Sequence, residues 1–318
     1  MSSQVNIYSM YEFQKMLFIW CEQDFFPGGE REVSAVDLRV QRDSATGIPI
    51  CRGSSLKGAL RSFVEHLNKH HNANICIDEL FGPEITTSGP KHAGALEFLN
   101  AGILLYPIQS YVGLFVYITS PYQLEEYWLK HLGSDADNLI SVLRSLSNEL
   151  NGMKAIIPKN SILSDQDIIL YHGEFIIKQN EYRADDSFGE LLEKLAEQAL
   201  PKKNNNILAG YSYIKTKILE STILIKDDDF RRWVERSLPR ITRIALDYDT
   251  KTVRRGALFI QELIPRHTLM ASAMYKAHRY QNQNKIDNFL RFLKGIPLIN
   301  IGGSETVGYG MIRLVIYP

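Results

Sequence analysis

Cysteine is scarce in this chain: Cys21, Cys51 and Cys76 are the only three in 318 residues. None lies close to another in sequence, which excludes a disulfide framework and a zinc ribbon and fits a reducing, cytoplasmic setting. An excess of charge of one sign is also missing, since 36 Lys and Arg stand against 36 Asp and Glu. Any basic surface must therefore be local, and residues 39 to 61 supply one, with Arg39, Arg42, Arg52, Lys57 and Arg61 against the single acid Asp43. No apolar run approaches a bilayer span, and the N-terminus lacks the basic and then apolar pattern of a signal peptide. No stretch rich in Pro, Gly or Ser divides the chain, although its length alone suggests about two domains. There is no Gly-x-x-x-x-Gly-Lys-Ser/Thr loop for a nucleoside triphosphate, because Gly58 follows Lys57 instead of preceding it. There is no His-Glu-x-x-His either, and His66 and His70, with His71 and Cys76 nearby, read as solvated groups at a helix end.

What is present is a core's worth of apolar sequence, 45% of the chain, and one dense motif. Ile48-Pro49-Ile50-Cys51-Arg52-Gly53-Ser54-Ser55-Leu56-Lys57-Gly58-Ala59-Leu60-Arg61 reads as a short strand, a glycine turn, a serine cap and an amphipathic helix. Leu56, Ala59, Leu60, Phe63, Val64 and Leu67 make its buried stripe. Ser54 or Ser55 is the expected N-cap, and Gly53 allows close approach of the backbone. Lys57 puts a cation near the positive end of the helix dipole, where a carboxylate is the usual choice. Two readings stand: a capped helix with a solvated lysine, or an anion held by amides, serine hydroxyls and the ammonium.

Periodicity predicts strands at 16–20, 95–98, 103–107, 114–118 and 168–177, and a short strand or extended edge at 36–40. Helices are expected at 55–70, from Pro121 to Gly133, at 135–150, from a Ser187-Phe188-Gly189-Glu190 capping box to about 200, and in two pieces at 268–279 and 285–294. The 201–206 stretch is expected to be a mobile polar loop. Asp227-Asp228-Asp229 reads as the acidic start of a helix and not as a metal site. Runs at 241–246 and 257–264, joined by a polar 247–252 tip, read as a hairpin followed on its far side by Arg254 and Arg255. The chain closes as strand, glycine loop, strand, with Gly302, Gly303, Gly308 and Gly310 able to bring bare amides against phosphate. The mixture of elements suits an α+β sandwich.

The run Val36-Asp37-Leu38-Arg39-Val40-Gln41-Arg42, then Thr46-Gly47-Ile48-Pro49 and Gly53-Ser54-Ser55-Leu56-Lys57-Gly58-Ala59-Leu60-Arg61, resembles the N-terminal signature of the RAMP superfamily, the RNA-binding subunits of CRISPR effector complexes. Three further blocks are similar to the repeated backbone subunit of type III-B, or Cmr-type, effectors. They are Phe81-Gly82-Pro83-Glu84 with His92-Ala93-Gly94-Ala95-Leu96-Glu97-Phe98, Leu104-Leu105-Tyr106-Pro107-Ile108-Gln109-Ser110, and Ile301-Gly302-Gly303-Ser304-Glu305-Thr306-Val307-Gly308-Tyr309-Gly310. The likeness runs discontinuously from about residue 16 to the C-terminus.

The resemblance implies one RAMP domain over residues 1–318, with a ferredoxin-like, RNA-recognition-motif-like core at about 14–120 and 265–318. Large insertions at about 121–264 would hold helices and a β-hairpin thumb. The aromatic signature of the ordinary RNA-recognition motif is absent, so the sheet face is not expected to stack bases in the usual way. Copies would polymerise along a guide RNA and cut a complementary target RNA at regular intervals. Asp37 matches the family's target-cleaving aspartate and is the one residue that the likeness marks as able to hold a divalent ion, Mg or Mn, any other ligand being left open; alone, an aspartate beside arginines reads as a structural ion pair or loop residue. RNA binding is expected of Arg39, Arg42, Arg52, Gly53, Ser54, Ser55, Lys57, Arg61, Gly302, Gly303, Gly308 and Gly310, and of Arg254 and Arg255 on the thumb. The implied partners are guide RNA, target RNA, further copies of the chain and other Cmr subunits, with no membrane. Two positions depart from the pattern: Phe26 stands where many relatives carry histidine before Pro-x-Gly, and Ser304 where they carry an acid. Rival readings are a non-cleaving RNA scaffold, the equivalent Csm-type subunit and, with least support, a nucleotide-binding enzyme.

Overall fold

The computed structural model describes residues 11–29, 36–83, 92–164, 168–171, 175–244, 258–277, 282–295 and 297–317, together with 247, 249, 250, 252 and 280. Arg254 and Arg255 lie outside them. In chain order come β1 (Tyr11–Cys21), β2 (Ile50–Cys51), α1 (Gly53–His71), α2 (Ile77–Phe81), β3 (Leu96–Phe98), β4 (Ala101–Gln109) and β5 (Phe115–Thr119). The middle of the chain forms α3 (Pro121–Tyr127), α4 (Asp137–Glu149), β6 (Ala155–Pro158), β7 (Ile168–Tyr171), β8 (Phe175–Lys178), β9 (Tyr182–Asp185), α5 (Asp186–Ala199), β10 (Lys202–Lys203), β11 (Asn206–Ile207) and α6 (Ser212–Glu220). The last part forms β12 (Thr222–Ile225), α7 (Asp227–Ser237), β13 (Arg240–Arg243), β14 (Phe259–Glu262), β15 (Leu269–Ala277), α8 (Gln283–Leu293), β16 (Leu298–Asn300) and β17 (Met311–Tyr317).

One large mixed sheet organises these elements, in the order β16-β17-β1-β15-β4-β5-β12-β6-β9, with β2 on β4 and β3 on β15. Its neighbours are antiparallel except for β5 with β12 and β6 with β9. Alternation along β1 sends Leu17, Ile19 and Cys21 to one face and Met16, Phe18 and Trp20 to the other. The first face is covered by Leu56, Leu60 and Val64 of α1 and by Ile286, Phe289 and Leu293 of α8. The second is covered by Leu143 and Leu146 of α4, Phe188, Leu191 and Leu195 of α5, and Ile218 of α6. Both faces are therefore dry, as the apolar content of the chain requires. Strands β6, β9 and β12, from the region expected to be an insertion, extend this same sheet.

Several local expectations need correction. The helix expected at 268–279 is β15, the strand paired with β1, β3 and β4. Leu269, Ala271 and Ala273 face one core and Met270 and Met274 the other, so apolar residues fall on both faces, the alternation of a half-buried strand is lost, and the stretch mimics a buried helix. The strand expected at 168–177 is two strands, β7 and β8, folded on each other. The helix from Pro121 stops at Tyr127 and continues as two short 3₁₀ turns around Gly133. Asp185, not Ser187, caps α5, its side chain accepting from the amides of Ser187 and Phe188. The 201–206 stretch is a tight hairpin of β10 and β11 in which Asn204 and Asn205 take φ of 51° and 63°, as a two-residue hairpin turn requires. The acidic triplet does open a helix, α7.

Candidate nucleic-acid interface

Helix α1 begins one residue before the two serines. Gly53 is its first residue and Arg52 its N-cap, with no side-chain cap from Ser54 or Ser55. The missing cap comes through space, because the Gly53 amide donates to Asn100 Oδ1 at 3.0 Å. Gly53 is buried, and a Cβ there would sit 2.0 Å from the Phe98 carbonyl oxygen. The glycine thus lets α1 abut the β3–β4 turn, where the sequence suggested room for a ligand. Arg52 and Ser54 are exposed at this mouth.

Lys57 does not stand in open solvent. It is half-buried, and its Nζ donates to the Leu96 carbonyl of β3 at 3.3 Å. Burial pushes its pKa below the usual lysine value, with Glu97 opposing the shift and Arg61 adding to it. An anion arriving beside it would repay that desolvation. Arg61 is occupied otherwise: it bonds Glu65 at 3.0 Å, Asp78 at 3.3 Å and the Gly82 carbonyl at 2.5 Å, which ties α2 to α1.

The glycine loop packs on the 24–26 segment. Gly302 takes a φ of 87°, and a Cβ on it would meet the Phe26 carbonyl oxygen at 1.9 Å. The amides of Gly303, Gly308 and Gly310 donate to Phe26, Glu305 and Asp24 respectively. Three amides expected to face phosphate are thus used to close the loop, and its exposed part is Gly302 and the turn from Glu305 to Gly308. Ser304 accepts from Arg243 Nη1 of β13 at 2.9 Å, and the same guanidinium donates to Gln261 Oε1 of β14 at 3.1 Å. The bond at this position is thus from a charged guanidinium to a neutral hydroxyl, where an acid would form an ion pair.

The two loops are joined through the chain between them. Gln41 donates its amide to the Gly28 carbonyl and accepts from the Ile50 amide, while its side-chain Oε1 accepts from the Arg52 amide at 3.2 Å. The contacts of Lys57 run to β3, and those of the glycine loop run to the 24–26 segment.

Asp37 lies at the start of an extended segment laid beside β14. Asp37 and Leu38 both donate their amides to the Ile260 carbonyl at 3.1 Å, and the Glu262 amide donates to the Leu38 carbonyl at 2.9 Å. The Asp37 carboxylate is held in turn, with Oδ2 accepting from the Ile260 amide at 2.9 Å. β14 pairs with β13 from Arg240 with Glu262 to Arg243 with Phe259, so the expected hairpin base exists and carries the candidate catalyst. Five residues on, Arg42 forms ion pairs with Glu235 of α7 and with buried Glu262. Arg240 approaches the same Glu262 at 3.4 Å. Arg42 is therefore a strut between α7 and the hairpin, which the sequence did not indicate. Arg39 lines a cleft of about 340 Å³ with Arg42, Gly47, Arg231, Arg232, Glu235 and Arg236. The arginines of α7 carry little signal in the sequence because they alternate with buried Phe230, Trp233 and Val234 and read as an ordinary solvated face.

Among the described residues no helix is long and apolar enough to cross a membrane. The sequence profile of the RAMP superfamily matches residues 25–313. A Pyrococcus furiosus protein named CRISPR system Cmr endoribonuclease Cmr4 is 29% identical over 293 residues, 91% of each chain. A chain in the cryo-EM structure of the type III-B Cmr-beta complex bound to cognate target RNA superposes with a TM-score of 0.70 at 21% identity, covering 97% of this chain and 98% of its own. The crystal structure of oligomeric Cmr4 from Pyrococcus furiosus gives a TM-score of 0.63 at 24% identity, over 97% of this chain and 99% of that one.

Proposed function

The chain belongs to the RAMP superfamily, and from that membership we propose that it is the backbone subunit of a type III-B CRISPR effector, an endoribonuclease that acts on target RNA within the assembled complex. The name of the Pyrococcus relative and the target-bound and oligomeric assemblies of the structural neighbours support this reading. In it, the chain is a single domain with a ferredoxin-like core, and the β13–β14 hairpin is the base of a thumb that interrupts the guide–target duplex. Copies line up on the guide RNA in the cytoplasm, beside the other Cmr subunits. Each grips the guide by phosphate and 2′-hydroxyl at the mouth of α1, with Arg52, Ser54, Ser55 and Lys57, and at the rim of the 302–310 loop. Such contacts hold any sequence equally, as a guide carrier must.

Cleavage uses the nucleophile that RNA carries. The 2′-oxygen bonds to the adjacent phosphorus to give a 2′,3′-cyclic phosphate, and the bond from phosphorus to the 5′-oxygen of the next nucleotide breaks, that oxygen leaving as a hydroxyl protonated by solvent. The thumb bends the strand so that attack and departure are in line. Asp37 assists removal of the 2′-hydroxyl proton, and Arg39 adds positive charge next to it. No three His, Cys, Asp or Glu side chains converge among the described residues, so these residues offer no closed metal cage. A single hard carboxylate suits a Mg or Mn ion that draws its other ligands from water and phosphate. When bound, such an ion would compensate charge on the reacting phosphate.

The observation that carries this reading is the bond from the Ile260 amide to Asp37 Oδ2, which fixes the carboxylate to the hairpin. Asp37→Ala in the assembled complex should abolish cutting of complementary RNA while assembly persists. An unchanged rate would remove Asp37 from the chemistry, and a wild-type complex that binds target without cutting it would leave a scaffold.

A further inference from the structure

Helix α7 divides its charges along its length. Asp227, Asp228 and Asp229 occupy its first turn, and Arg231, Arg232 and Arg236 follow on its exposed side. That side forms one wall of the cleft, and the segment bearing Arg39, Arg42 and Gly47 forms the other. Five guanidiniums and one carboxylate line it. The carboxylate, Glu235, is already engaged by Arg42, which Glu262 also holds. In a chain of balanced overall charge, such a concentration around a concave surface matches an anion. Guanidinium groups suit phosphate in particular, because their planar fork meets two phosphate oxygens at once. Gly47 adds exposed backbone at the rim, with a φ of 72° and nothing within 4 Å of a Cβ built on it.

Arg39 links the cleft to the candidate catalyst. It stands two residues beyond Asp37 on the segment paired with β14, so the cleft and the candidate catalyst share one segment of chain. We propose that the cleft between α7 and the 39–47 segment is a phosphodiester-binding subsite for the target strand, in which Arg231, Arg232 and Arg236 face Arg39. The proposal rests on the reading of the chain as a target-cleaving subunit. It gives α7 the task of holding the strand on one side of the cleaved position, while the hairpin bends it on the other.

The test uses the whole complex loaded with guide RNA and carrying Asp37→Ala, so that a complementary RNA stays intact. Arg231→Gln with Arg232→Gln is added, both positions being exposed and away from the core. Affinity for the complementary RNA is measured across a series of salt concentrations, alongside guide content and particle size. The expected result is at least tenfold weaker target binding at low salt, and a salt dependence shallower by roughly 0.7 in log–log slope for each phosphate no longer held. Guide content and size should not change, and Arg231→Lys with Arg232→Lys should restore the slope. Unchanged target affinity and slope would overturn the proposal. So would a fall in particle size or in bound guide with target binding intact, which would assign the cleft to an acidic surface of a neighbouring copy or to the guide. Cutting by the complex with Asp37 intact is scored separately, so a failure of the nuclease reading is distinguishable from a failure of the subsite.

Discussion

Arg42→Ala should destabilise the fold by about 2–3 kcal/mol without changing how strongly the complex responds to salt when it binds RNA. The Glu262 side chain is 1% exposed, with Arg42 Nη2 at 3.0 Å and Arg240 Nε at 3.4 Å. Removing one partner of a buried ion pair costs about 3–5 kcal/mol, mostly because the other charge is left uncompensated. Two features reduce that figure here: Arg240 remains, and the Arg42 side chain is itself 19% exposed. The bond from Arg42 to the Gly47 carbonyl at 3.1 Å is lost as well and returns about 0.5–1 kcal/mol to the cost. Urea denaturation of the purified chain measures the sum as a shift in midpoint at constant slope. Arg42→Met combined with Glu262→Met should recover most of the loss, since apolar side chains of similar volume remove the buried charge along with its partner. A loss below about 0.5 kcal/mol, or a shallower salt dependence of RNA binding at full stability, would refute the strut and return Arg42 to the RNA-binding set.

Gly302→Ala should cost about 2 kcal/mol or more in thermal or urea denaturation, because the new Cβ meets the Phe26 carbonyl oxygen and the left-handed φ adds its own penalty; the wild-type midpoint would overturn the packing described for the loop. His131 bonds the Tyr275 hydroxyl at 2.9 Å, and burial, with Lys130 adding to it, pushes its pKa down to about 4. Unfolded, it titrates near 6.5, so between these values the unfolded chain binds the extra proton and stability rises with pH. Screening by solvent at this half-buried site leaves about 1–2 kcal/mol, present above pH 6.5 and lost as pH falls toward 4. Denaturation midpoints of the wild type and His131→Gln across that window should diverge in slope, and parallel curves would contradict the assignment.

The parts of the fold that read clearly in sequence are those with one buried face or a local signal. α1 has its stripe of Leu56, Leu60 and Val64, α7 its acidic first turn, and the chain's end its two strands around a glycine loop. β15 does not read clearly, because burial on both faces erases the alternation that marks a strand. At the site, Asp37 is legible by motif, but what holds it is not, since Ile260 lies 223 residues away. The same distance hides the fates of Arg42 and Arg61, whose partners at Glu235, Glu262, Asp78 and Gly82 are set by the tertiary fold. A basic residue can be counted in a sequence, but whether its charge is already taken depends on neighbours that only folding supplies.

The large sheet ends in β16 on one side and β9 on the other. The first has three residues and the second four, Arg183 and Asp185 among them. Borders this short, one of them also charged, give an incoming strand little ladder to join. A row of these molecules on a nucleic acid would thus grow without fusing into one continuous β-structure. Its repeat distance would be dictated by the polymer threaded through it and by how helices and loops of adjacent copies touch, leaving the row free to disassemble when that polymer is removed.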